Sequence, residues 1–60
     1  MNNFAEELKK ARAETGMSQQ SMADQMLIPK RTIEAWETGV RTPPPYVQRF
    51  VLNELKQMST

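Results

Sequence analysis

The two glycines and four prolines of this 60-residue chain, Gly16, Pro29, Gly39 and Pro43 to Pro45, divide it into four stretches that no single long element can span. Glycine is at home in the left-handed conformation that ends helices, and proline lacks the N–H that a helix interior needs. In the first stretch Phe4, Leu8, Ala11 and Thr15 recur at spacings of four, three and four, while Glu6, Glu7, Lys9, Lys10 and Glu14 fill the other faces. That spacing predicts an amphipathic helix over about residues 3 to 15. Gly16 ends it, and Ser18 is a good N-cap for a second helix over 19 to 26, with Met22, Ala23 and Met26 inward.

Leu27 and Ile28 make a tight connection. Pro29 is tolerated in the first turn of a helix, where its missing amide removes no intrahelical bond, so a third helix is predicted over 29 to 38. Gly39 stops it, and Thr42-Pro43-Pro44-Pro45 is stiff and extended, which makes 39 to 45 a loop. Tyr46, Val47, Phe50, Val51 and Leu55 then resume a helical stripe to about residue 57, after which the end is expected to fray. The expected fold is all-α, a small bundle of four short helices with room for a fifth short turn. With no internal repeat and no linker, residues 1 to 60 are expected to form one domain.

Sixty residues bury only about 60% of the surface that the unfolded chain exposes. The chain has no cysteine and no histidine, so disulfides and the usual zinc ligand sets are excluded and apolar packing must hold the fold. No metal and no cofactor is expected. Apolar runs approach neither the roughly 18 residues of a membrane span nor the pattern of a secretory signal, so the expectation is a soluble cytoplasmic protein. Eight Lys and Arg against seven Asp and Glu give a formal charge of +1, which by itself does not suggest a polyanionic partner.

At about 100° per residue, Ile33, Trp36 and Glu37 of the third helix project to one side. Arg31, Glu34, Ala35 and Thr38 lie on the other, with Lys30 and Thr32 flanking. On an arbitrary helix such a polar set would be a solvated face. These side chains also suit base edges: Arg can donate twice to guanine O6 and N7, Glu can accept from cytosine N4, and a methyl can touch that of thymine. Lys30 and Glu34 are four apart, so they can also pair with each other.

The run from Gly16 to Pro43 resembles the helix-turn-helix of the phage-repressor and Cro class, the XRE family. Gly16, Met17, Ser18, Gln19, Met22, Ala23, Met26, Ile28, Thr32, Ile33, Trp36, Glu37, Gly39, Arg41 and Pro43 stand at the matching places. The resemblance implies a lambda-repressor-like domain whose third helix enters the major groove of double-stranded DNA, as in a small transcriptional regulator or repressor. It places Lys30, Arg31, Glu34 and Ala35 at base-reading positions. Gln19, Thr32, Thr38, Val40, Arg41 and Thr42 fall where the family holds phosphates, the loop residues through amides as well as side chains. Arg12 and Glu37 match a structural ion pair. The expected core is Phe4, Leu8, Met22, Ala23, Ile28, Ile33, Trp36, Val47 and Val51.

Two positions depart from the pattern. Leu27 replaces the usual turn glycine, so the turn either avoids positive φ or strains Leu27, and Pro29 replaces a Ser or Thr cap. A single module buries only about 600 to 1,000 Å² on DNA, and Phe50, Val51 and Leu52 point in several directions, so a homodimer is expected, weak in solution or formed only on DNA. The nucleoid is the implied location. The competing reading keeps the fold but lets the third or last helix grip a protein, as in an adaptor or antitoxin-like module. Without His or Cys, and with its carboxylates among basic neighbours, the chain offers no nucleophile and base pair, so neither an enzyme nor a small-molecule substrate is expected.

Overall fold

The computed structural model describes residues 3–59; residues 1, 2 and 60, the ends of the expected domain, lie outside the described residues. Four helices follow one another: α1 (Phe4–Thr15), α2 (Gln19–Met26), α3 (Lys30–Thr38) and α4 (Pro45–Met58). Among the described residues there is no fifth helical turn. Local chemistry sets most of the ends. The Asn3 side chain accepts the Glu6 amide and the Ser18 hydroxyl accepts the Ser21 amide, each satisfying a donor that the helix itself leaves orphaned. Gly16 and Gly39 close α1 and α3 in the left-handed region, at φ 79° and 83°.

The prolines act differently from the prediction. Pro29 stands just outside α3 as its N-cap, with ψ 138°, and its carbonyl accepts the amides of Thr32 and Ile33. Pro45, expected in the loop, is instead the first residue of α4 behind an N-cap at Pro44. Pro at the first helical position is favoured because its fixed φ already suits the helix.

Leu27 takes the strained alternative. It sits at φ 57° and ψ 42°, among the described residues the one side-chain-bearing residue with positive φ, and it is 90% exposed. Its amide donates to the Ala23 carbonyl and closes α2. The left-handed region costs an L-residue roughly 1–2 kcal/mol, part of which glycine returns as unfolded-chain entropy. Leu27→Gly is therefore expected to stabilise the fold by about 0.5–1 kcal/mol, because almost no buried apolar surface is lost with the side chain. A rise in the urea midpoint at unchanged slope would show it.

The helices enclose one core. α1 lies against α3 and α4, and α2 lies against α3. Phe4 and Leu8 of α1, Met22 and Ala23 of α2, Ile33 of α3, and Val51 and Leu55 of α4 are buried. Three residues expected inside, Ile28, Trp36 and Val47, are only half-buried and pack on the rim, whereas Leu55 is fully enclosed. A core of this size cannot surround an indole. Trp36 packs against the edge of the cluster, its ring in a T-shaped arrangement with that of Phe4 at 6.0 Å and 68°.

Candidate nucleic-acid interface

α3 is held from behind by a charged group that the core encloses. Glu37, in the last turn, is only 6% exposed. Arg12 of α1 grips it through two parallel hydrogen bonds, Nε to Oε2 at 2.7 Å and Nη2 to Oε1 at 3.0 Å. The third guanidinium nitrogen, Nη1, donates to the Met17 carbonyl at 3.1 Å, which fastens the connection between α1 and α2. Gln19, the first residue of α2, donates from Nε2 to the same Oε1 at 2.9 Å. Three helices thus meet at one carboxylate. Burial alone would push the Glu37 pKa up, but the hydrogen bonds from Arg12 and Gln19 and the charges of Arg12 and Lys9 outweigh it and hold the group below its ordinary value.

With Ile33 and Glu37 turned inward, the opposite face of α3 is presented to solvent. Lys30, Arg31, Glu34 and Thr38 are exposed, while Thr32 and Ala35 are half-buried along the same ridge. Arg31, Thr32 and Ala35 line a shallow concavity of about 340 Å³ together with Arg41 from the loop after α3. No carboxylate lines this concavity, and among the described residues neither guanidinium has an ion-pair partner. Among the described residues, two unpaired cations and a hydroxyl around one hollow give a locally positive patch on a chain of nearly zero net charge.

Several side chains named from the sequence are engaged within the protein. Glu34 lies 3.9 Å from Lys30, both about half exposed at the side chain, so each partly screens the other. Gln19 spends one of its two amide hydrogens on Glu37 and keeps one for a ligand. The Thr38 hydroxyl donates to the Ala35 carbonyl at 3.2 Å and so has no proton left for a phosphate oxygen in this rotamer. The Arg41 amide, expected to face DNA, donates to the Ala35 carbonyl at 3.3 Å and anchors the loop instead. Val40, Arg41 and Thr42 are exposed beside the α3 ridge. The bond of Gln19 to Glu37 left no signal in the sequence, because its partner is 18 residues away.

The arrangement suits a groove. A nine-residue helix is about 14 Å long and about 10–12 Å across with its side chains, close to the roughly 12 Å width of the major groove. The helix-turn-helix family profile matches residues 8–47, from the middle of α1 into the first turn of α4. No curated protein and no solved structure shows a significant match to the chain.

Proposed function

We propose that this chain, which belongs to the XRE class of helix-turn-helix proteins and so is a DNA-binding regulator of that type, recognises a specific duplex sequence by laying α3 in the major groove and acts as a repressor. The observation that carries this reading is that Arg31 and Arg41, without an ion-pair partner among the described residues, flank one hollow on the exposed side of a helix whose other side is locked into the core. Arg31 and Ala35, on the α3 ridge, take the base edges, Arg31 as a two-pronged donor to guanine. Lys30 and Glu34 assist only when their mutual contact opens. Thr32, Arg41 and Thr42 hold phosphates, with Gln19 adding its remaining N–H and Val40 bracing the loop. Such contacts fix register and carry no sequence information themselves.

The reading extends to a homodimer formed on DNA. Of the three apolar residues that motivate it, Phe50 is 60% exposed, whereas Val51 is buried and Leu52 packs on the core; Tyr46, one turn before Phe50 on α4, is 73% exposed and joins it. A two-fold contact through this pair would give two α3 helices on a near-palindrome.

Selection from a random duplex library tests both parts. The expected result is an enriched two-fold-symmetric site whose affinity falls steeply with salt, as counterions leave each neutralised phosphate. Sedimentation on that site should show two chains per duplex. Binding to a protein partner with little salt response, and no enriched duplex, would favour the adaptor reading. Among the described residues no helix is long and apolar enough to cross a membrane.

A further inference from the structure

We propose that Gln48 is a positioning residue that clamps the proline-rich loop and thereby holds Arg41 ready for a DNA phosphate, an inference that rests on the DNA-binding reading above. α4 begins without a capping side chain, since its N-cap is Pro44 and its first residue is Pro45. In many helices a Glu or Gln inside the first turn reaches back to the N-cap amide. Pro44 has no such amide. Gln48 instead reaches past it and donates from Nε2 to the Pro43 carbonyl at 2.8 Å, while its backbone amide donates to the Pro44 carbonyl at 3.0 Å. Pro43 is buried and Gln48 half-buried, so this bond lies where water competes poorly for the carbonyl.

The loop's other end is fastened to α3, by the Gly39 amide on the Trp36 carbonyl and the Arg41 amide on the Ala35 carbonyl. Arg41 and Thr42 therefore hang between two anchors, one on α3 and one on α4. A side chain on a loose loop costs backbone as well as side-chain entropy when a ligand orders it, whereas on a loop already held the backbone share is saved. Gln48 need touch no DNA to matter: it sets the direction in which the loop leaves Arg41 for α4.

Gln48→Met keeps side-chain length and helix propensity but removes the donor. The expected result is a rise in fast motion at the Val40, Arg41 and Thr42 amides in ¹⁵N relaxation, with α3 unchanged. Affinity should fall by a similar factor on every duplex, and the salt slope should become shallower by about one phosphate. Arg41→Ala should do the same, and the double variant should bind no more weakly than Arg41→Ala alone, because one residue acts through the other. Gln48→Glu favours the helix start electrostatically yet has no proton to donate when ionised, so it should loosen the loop as well. A rigid loop in both Gln48 variants, or losses that simply add, would overturn the clamp. A chain that binds no duplex would instead overturn the DNA reading, while the relaxation data would separately report whether Gln48 holds the loop.

Discussion

Arg12→Ala is expected to lower the unfolding free energy by about 3 to 5 kcal/mol, the cost of leaving a buried charge without its partner. Glu37 would keep only the Gln19 hydrogen bond, and the Met17 carbonyl would lose its donor as well. In a domain this small that is a large share of the total stability, which for ordinary domains is about 5 to 15 kcal/mol. The pH response has a definite sign. In the native chain the Glu37 pKa lies below its ordinary value, so the proton prefers the unfolded state. The carboxylate's contribution is then fully present above the ordinary glutamate range and is lost as pH falls through that range toward the folded value. In Arg12→Ala burial is less opposed and the Glu37 pKa rises, so the gap between variant and parent should narrow on acidification. Replacing both partners with methionine should recover much of the loss, since a well-packed apolar pair avoids the desolvation cost. Urea unfolding followed by Trp36 fluorescence across the acid range checks all three points. A loss under about 1 kcal/mol for Arg12→Ala would place the pair among ordinary exposed ion pairs.

What the sequence disclosed and what it concealed divide along the range of the interactions involved. Gly16, Ser18 and Gly39 act within a turn of themselves, so the ends of α1 and α3 and the start of α2 could be read directly. A proline can serve as N-cap or as first helical residue, and its ψ decides. That angle depends on how the preceding turn delivers the chain, which is why Pro29 and Pro45 each fell one place from expectation. The left-handed geometry at Leu27 has no local cause in a leucine; the packing of α2 on α3 requires it. Helical phase separated the inner and outer faces of α3, yet phase cannot tell a buried residue from one on the rim of a small core, as Trp36 shows. The engagement of Gln19 with Glu37 and of the Arg41 amide with Ala35 also depends on the folded arrangement. The family resemblance placed these residues near DNA but said nothing of which of their donors are already spent.

Arg31→Ala is expected to weaken binding to the preferred duplex by about 1–3 kcal/mol and to relax choice at one base pair. Among the described residues Arg31 has no ion-pair partner, and it stands on the exposed ridge of α3, where a guanidinium can reach O6 and N7 of one guanine. Arg41, on the loop, shares the same hollow but belongs to the phosphates, so its removal should weaken all sequences alike. The central claim, that α3 reads bases from the major groove, is tested most directly by titrating the native chain and Arg31→Ala, at one fixed salt concentration, against the preferred duplex and every single-base-pair variant of it. The expected result is a loss that is largest on the preferred site and disappears when one particular base pair is changed. An equal loss on every duplex, or no loss on any, would contradict it.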